Sequence, residues 1–352
     1  MKKINWLLIL QGWTMLWVVI GHAPLRIEGI VPEFAALLYD IAYSFHMPLF
    51  ILISGYLFYT TRLSASSTKW SYKAIMMDKL KRLAIPFIVF TIIAMGMKSL
   101  FPGEMNRAAS FTFQEFFFAI LYPREGPLLE MWFVAVILWM FALTPYWRVC
   151  LKSRWLTIAT LILLLSLHIW VDYLPLGTFL CLKDCAYYGI YFFIGLLASK
   201  YGFDDKYKPM KYLIIAVGAT LYLCLWNTDI LFGLAMSGIA ISVGLAFILD
   251  SIYPKAFSTF RDCTYQIFLI GIFVQIAVKI IYKYALTLGI GASHPTLVYI
   301  VFYLTCIALG LYIPVAISKV AKYINWSPIL LCLGLKKIAI LPNKGSWFSP
   351  AK

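Results

Sequence analysis

Ten stretches of about twenty mostly apolar residues follow one another along the chain, at 4–23, 36–59, 83–102, 128–147, 155–173, 184–200, 211–227, 230–250, 263–283 and 296–318. A helix needs about 20 apolar residues to cross the hydrocarbon core of a bilayer. Lipid offers no partner to unpaired backbone groups, so only helices and closed barrels span it. Uninterrupted apolar runs of this length select the helix. Composition agrees: 62% of the 352 residues are hydrophobic and 13% charged, too few polar side chains to cover a water-facing globule. The abundance of Phe, Tyr and Trp also excludes a disordered chain. The expected fold is all-α, a polytopic transmembrane helix bundle of about ten spans. Residues 1–322 form a single transmembrane domain in this reading and 323–352 a cytoplasmic tail. A shorter run, 111–122, is interrupted by Gln114 and Glu115 and is expected to lie at the interface or re-enter rather than cross. The N-terminal run is long for a signal peptide and lacks an A-x-A cleavage pattern, so it is expected to be a retained first helix.

Thirty Lys and Arg against fifteen Asp and Glu leave a net charge of +15. With the N-terminus placed on the cytoplasmic side, 23 of the 30 cations fall in cytoplasmic segments. The other seven, Arg26, Lys98, Arg107, Arg124, Lys183, Lys279 and Lys283, fall on the outer side or toward outer helix ends. This asymmetry orients a multi-span protein with both termini cytoplasmic. The basic excess is therefore an orientation signal, and no residue arrangement suggests nucleic-acid recognition. Seven scattered cysteines show no metal-type spacing, so neither a zinc site nor a disulfide framework is expected. Cys181 and Cys185 lie near one loop, where they either bridge or remain two free thiols.

Ionisable and amide side chains inside a membrane are costly unless partnered, which makes them candidates for function. In QGWTMLWVVIGH of the first span, Gln11 and His22 are eleven residues apart, which returns them to within about 20° of one another around a helix and separates them by roughly 16 Å along it. Thr14 lies on the same stripe. His22 near a helix end reads either as a functional group or as a hydrogen-bonding end residue. In SFHMPLFILISGYLF of the second span, His46 precedes a kink expected at Pro48, and Ser54-Gly55 lets another helix approach closely. Here too a cavity lining and a purely structural span are both open. Glu130 opens a later helix, where a carboxylate also suits the helix dipole. His168, Gln266 and Gln275 read as packing or interhelical hydrogen-bonding residues. There is no GxxxxGK[ST], GxGxxG, HExxH or GxSxG, so nucleotide-driven pumping, dinucleotide redox chemistry, zinc proteolysis and elbow-type serine hydrolysis lack sequence support.

Gln11-Gly12 through Val18-Val19-Ile20-Gly21-His22, then Phe45-His46-Met47-Pro48-Leu49-Phe50 and Ile53-Ser54-Gly55-Tyr56-Leu57, resemble acyltransferase family 3. The Phe-His-Met-Pro version is similar to its fucose 4-O-acetylase-like branch. The run Lys79-Leu80-Lys81-Arg82-Leu83, ending in Ile85-Pro86, and the element Met131-Trp132-Phe133 also match the family's pattern. The resemblance implies a multi-pass O-acetyltransferase of the bacterial inner membrane. It would move an acetyl or other acyl group from acetyl-CoA, a donor substrate rather than a bound cofactor, to a hydroxyl of an envelope polysaccharide or lipid-linked sugar. His22 matches the family's catalytic histidine and would act as base or as transient acyl carrier, with His46 as a second polarising or orienting group. Gln11, Ser54, Glu130 and Trp132 would bind substrate, and Lys69, Lys73, Lys79, Lys81 and Arg82 would receive the anionic CoA. Two positions depart from the pattern. Gln11 stands where the family typically carries a basic residue, and a neutral amide can only hydrogen-bond. Gly271 stands about where many members carry a late histidine. A polysaccharide export protein sharing the core without transferase activity is the alternative, and a catalytically lapsed assembly or sensory protein a third reading.

Overall fold

A computed structural model of the chain describes residues 4–25, 32–64, 71–100, 110–290 and 293–337. The described residues are helical throughout, with no strand. The first helix, α1, runs Asn5–His22, and α2, Glu33–Phe58, continues through a π-helical turn at Tyr59–Leu63. Helix α3, Tyr72–Lys79, passes through a second π-helical turn, Leu80–Ala84, into α4, Ile85–Leu100. The short α5, Phe113–Leu121, and the pair α6, Trp132–Ala142, and α7, Thr144–Cys150, follow. Then come α8, Arg154–Ile169, α9, Leu182–Lys200, α10, Phe203–Tyr207, α11, Lys211–Leu225, α12, Leu231–Ile252, α13, Thr264–Thr287, α14, Pro295–Ile324, and α15, Ser327–Cys332.

Every one of the ten apolar stretches is occupied by helix, but not every one is a full span. Among the described residues seven helices are long and apolar enough to cross a membrane, or eight if one bent pair counts as a single span. The expectation of about ten spans is corrected to that extent, for three local reasons. The stretch 128–147 bends by 55° between α6 and α7, where Pro145 in the first turn of α7 cannot continue the hydrogen-bond ladder of α6. Helix α8 is only sixteen residues long. Helix α1 carries Asn5, Gln11 and His22 in eighteen residues, which dilutes its apolar character. At 111–122 the chain forms only the nine-residue α5, capped by the Thr112 hydroxyl, which accepts from the Glu115 N–H.

Two helix crossings are set by glycine. A Cβ on Gly55 would lie 2.1 Å from the Phe192 carbonyl oxygen, and one on Gly195 would lie 2.0 Å from the Leu52 carbonyl oxygen. Helices α2 and α9 therefore meet backbone to backbone, the close approach expected around Ser54-Gly55. Likewise a Cβ on Gly271 of α13 would lie 2.9 Å from the Gly310 carbonyl of α14. The position searched for a late histidine is thus a point of helix contact with no room for an imidazole. Pro48 sits inside α2, which runs unbroken from Glu33 to Phe58.

The main core joins α1, α2, α6, α9 and α12 around Leu10, Leu49, Phe192, Phe193 and Phe247. A second core joins α4 and α13 to α15 through Phe87, Phe90, Leu269, Leu330 and Leu333. The stretch from 323 assigned to a tail is therefore folded onto the bundle as far as it is described. Gln266 supports this by donating to the Leu333 carbonyl at 2.8 Å. Outward faces are apolar, as on α8 with Ile162 and Leu163 and on α11 with Leu213, Val217 and Leu221, the surface a lipid solvent requires.

The chain alternates direction, so α1, α4, α6, α9 and α13 bring defined ends together. At the Asn5 end, Asp250 accepts from Asn5 Nδ2 at 2.6 Å and from Lys208 Nζ at 2.5 Å, and Arg261 donates to Asn5 Oδ1 at 3.2 Å. Asp204 there accepts from Trp6 Nε1 at 3.2 Å and from the Tyr56 hydroxyl at 2.9 Å, tying α1 and α2 to α10. Asp204→Ala strands both donors. We expect a loss of about 1–3 kcal/mol of stability, measured as a lower Tm in detergent with activity per folded molecule retained.

Candidate active site

The other end of α1 opens on a cavity of about 510 Å³. His22, the last residue of α1, lines it, as do Tyr43 and His46 of α2. Helix α1 ends there, so its last carbonyls need partners. Lys279 of α13 donates to the His22 carbonyl at 2.7 Å, the Tyr303 hydroxyl to Ile20 at 3.3 Å, and Gln275 to Val19 at 2.9 Å. These bonds from α13 and α14 fix the backbone that carries His22.

The His22 ring is held from three sides. Its Nδ1 lies 3.9 Å from Glu130 Oε1 and 3.3 Å from the Tyr43 hydroxyl, and its centroid is 6.5 Å from that of His46. Glu130 stands in the short turn Leu129–Met131 that starts α6. With both polar neighbours at Nδ1, the Nε2 edge is left for another partner. His46 is buried and its Nδ1 lies 2.5 Å from the Ala42 carbonyl. A carbonyl only accepts, so this geometry assigns the proton to Nδ1 and leaves Nε2 as an acceptor.

Opposite His22, Arg124 forms one wall. Its guanidinium grips both carboxylate oxygens of Asp184 on α9, from Nε at 3.1 and 3.0 Å and from a further amino group. It lies 4.0 Å above the Trp132 ring, and Trp132 stacks on Tyr188 at 5.0 Å. Burial works against the Arg124 charge, but the Asp184 carboxylate outweighs it and raises the guanidinium's pKa, so it stays ionised. Lys98, Lys279 and Lys283 complete the charged lining.

A second cavity of about 200 Å³ lies toward the Asn5 end, lined by Gln11, Ser54 and Lys79 among apolar side chains of α1, α2, α6 and α13. Val18, Met47 and Phe268 line both cavities and form the wall between them. The structure thus separates the residues singled out from the sequence. His22, His46, Glu130 and Trp132 share the larger cavity, whereas Gln11, Ser54 and Lys79 share the smaller one. Thr14 lines neither; it is fully buried and donates to the Leu10 carbonyl at 2.6 Å. Ser54 donates to Phe50 at 2.9 Å within its own helix. Of the four described cations assigned to CoA, Lys79 lines one of these two cavities and the others line neither; its ammonium lies 3.9 Å from the centre of the Phe141 ring. Lys73 and Lys81 are exposed, Arg82 pairs with Asp78 at 2.9 Å, and Lys69 falls outside the described residues. Cys181 and Cys185 are free thiols. His168 donates to Tyr187 at 2.7 Å, which gives it a structural partner.

Sequence reasoning passed over Tyr43, Arg124, Lys98, Lys279 and Lys283 as members of this site. Lys279 carried a usable signal, a cation inside an apolar stretch. Arg124 and Tyr43 gave none, since a loop arginine and one tyrosine among 23 are ordinary.

No curated protein and no solved structure matches the chain. A family model does, described as an acyltransferase domain of the acyltransferase 3 type, over residues 4–319. That match takes in α1, α2 and every wall of both cavities, and the chain belongs to the acyltransferase 3 family of membrane acyltransferases.

Proposed function

We propose that this membrane acyltransferase is an O-acetyltransferase of the bacterial inner membrane, akin to the fucose 4-O-acetylase-like branch. It takes acetyl from cytoplasmic acetyl-CoA and places it on a hydroxyl of an envelope polysaccharide or lipid-linked sugar. Residues 1–322 make up the transferase domain, the termini are cytoplasmic, and the His22 end faces outward. The Lys and Arg bias supports this orientation, since 23 of the 30 fall in segments that the order of apolar stretches assigns to the cytoplasmic side.

The observation that carries the reading is the His22–Glu130 pair, at 3.9 Å, on a large cavity that shares a wall with a smaller one toward the opposite end. The smaller cavity suits the donor. Its apolar walls accept the uncharged arm of acyl-CoA, and Lys79 supplies there the positive charge that Gln11 lacks, with Lys69, Lys73, Lys81 and Arg82 toward the cytoplasmic phosphates. The larger cavity suits the sugar. His22 Nε2 removes the hydroxyl proton as the oxygen attacks the thioester carbonyl. The carbon–sulfur bond then breaks, and the departing sulfur takes the proton back from the imidazolium. Glu130 at Nδ1 orients the ring and offsets its transient charge, the division of labour of a base and its carboxylate. His46 Nε2 accepts a hydrogen bond from a sugar hydroxyl and so orients the acceptor. Trp132, its ring sandwiched between Arg124 and Tyr188, offers its edge as an apolar wall for the sugar.

The test is release of free CoA thiol by purified protein in nanodiscs, with acetyl-CoA and envelope glycan from a strain lacking the gene. Glu130→Gln is expected to slow release by up to about 10⁴-fold, with KM for acetyl-CoA little changed. Glycan movement across the membrane of reconstituted vesicles without thiol release would instead favour an export protein.

A further inference from the structure

The partition between the two cavities lies at one level of the bundle. Along α1, Gln11 lines the smaller cavity and His22 the larger, and Val18, which lines both, comes between them. Along α2 the same order reads Ser54, Met47, His46, and along α13 it reads Tyr265, Phe268, Ile272. Three helices thus give one side chain each to the partition. Val18 stands one turn before His22 and Met47 directly follows His46, so the partition lies against the histidine pair.

The three side chains are held to different degrees. Val18 belongs to a buried core with Ile267 and Leu311, and a β-branched residue in a helix keeps essentially one rotamer. The Phe268 ring is flanked by those of Phe133 at 5.5 Å and Tyr265 at 6.3 Å. Tyr265 is itself anchored, its hydroxyl donating to the Leu83 carbonyl at 3.2 Å. Met47 is half-buried and unbranched, and it turns about several side-chain bonds. It is the member of the partition that adjusts to what enters.

The transfer reaction brings the thioester to this level. The sugar hydroxyl meets His22 in the larger cavity while the CoA arm comes from the smaller one. Its oxygen bonds to the carbonyl carbon, the carbon–sulfur bond breaks, and the proton passes through His22 to the departing sulfur. The carbonyl carbon therefore sits in the partition at the moment of attack. The acyl group projects from that carbon away from the sulfur, so it is the part of the donor that meets the wall. At about 200 Å³ the smaller cavity falls below the roughly 300–1,000 Å³ of sites that bury a whole drug-sized ligand, which suits it to the narrow end of a donor.

We propose that Met47 sets the size of the acyl group this enzyme transfers, by bounding the place that the acyl group takes when its carbonyl reaches His22. Turning Met47 aside frees room comparable to its own thioether end, which matches acetyl and turns away longer or branched groups. Val18 and Phe268 form the fixed sides of that place. This inference rests on the transferase reading.

The experiment is a competition between equimolar acetyl-CoA and propionyl-CoA on purified protein in nanodiscs, with envelope glycan from a strain lacking the gene as acceptor. Mass spectrometry reads the ratio of acetyl to propionyl ester. That ratio reports relative kcat/KM, and a general loosening of the fold lowers both products without moving it. One extra methylene in a fitted apolar pocket is worth about 10–200-fold, and the wild type is expected to favour acetyl by that much. Met47→Ala is expected to lower the ratio by about tenfold or more, and Met47→Leu, which conserves volume, to keep it within about threefold of the wild type. Met47→Val, with a shorter side chain, is expected to lower the ratio in the same direction and serves should the alanine variant fail to accumulate. A wild-type ratio near one would overturn the inference and leave the transferase intact. A wild-type ratio retained in the active alanine or valine variant would overturn it too. Absence of both esters with the wild-type protein would overturn the transferase reading and this inference with it.

Discussion

His22→Ala is expected to abolish acyl transfer while leaving the protein folded in the membrane. Removing a positioned base costs about 10²–10⁴ in rate. Little stability should go with it, because the backbone at His22 is held by Lys279, Gln275 and Tyr303 through carbonyls that alanine keeps. The ring's own contacts, with Tyr43 at 3.3 Å and Glu130 at 3.9 Å, lie at the cavity edge and not in the core. The measurement is acetyl transfer to glycan per unit of folded protein, with Tm recorded for the same sample. Acetylated glycan at the wild-type level would remove His22 from the mechanism. The same variant separates two roles for the imidazole. A base acts only when the sugar is present. A transient acyl carrier accepts acetyl from acetyl-CoA alone, so radiolabel would stay on the wild-type chain without glycan and vanish in His22→Ala. Retention of label in the variant would place a carrier elsewhere.

Much of this arrangement was legible in the residues, and the part that was not has physical causes. Apolar run length located all ten helical stretches, because the need to pair every backbone group in lipid leaves the sequence little freedom. It did not show that 128–147 bends, since Thr144-Pro145 sits inside a run of otherwise suitable hydropathy. Helical periodicity put Gln11 and His22 on one face, and each does line a cavity. Periodicity says nothing about what divides that face. The partition by Val18, Met47 and Phe268 depends on side chains from three helices whose mutual depth no local pattern records. The same holds for Lys98, Arg124 and the α13 pair Lys279 and Lys283, three groups that are distant in sequence and meet only through the order of the bundle. Glu130 was visible as a carboxylate at a helix start, but its place beside Nδ1 of His22 is a tertiary fact.

Gly55→Ala and Gly195→Ala are each expected to prevent accumulation of a stable protein. A methyl group at Gly55 would sit 2.1 Å from the Phe192 carbonyl oxygen, and one at Gly195 would sit 2.0 Å from the Leu52 carbonyl oxygen and 2.9 Å from the Tyr56 nitrogen. Those are backbone atoms in the middle of helices, so no rotamer change relieves the contact and the helices themselves must separate. Overfilling a tight core commonly costs 1–3 kcal/mol and occasionally more, and a crossing of bare backbones in a membrane bundle belongs at the upper end. The measurement is Tm and yield in detergent against Gly177→Ala, where the nearest atom to the added methyl is 4.0 Å away and little change is expected. A wild-type Tm for Gly55→Ala would show that α2 and α9 do not cross as described. The two lesions should also be far from additive, because the first separates the helices that the second would separate. Helix α2 carries Tyr43 and His46, and α9 carries Asp184, which grips Arg124 across the cavity. Any surviving Gly55→Ala protein should therefore lose transfer activity out of proportion to its loss of folded material, since parting these helices pulls Arg124 and Trp132 away from His22.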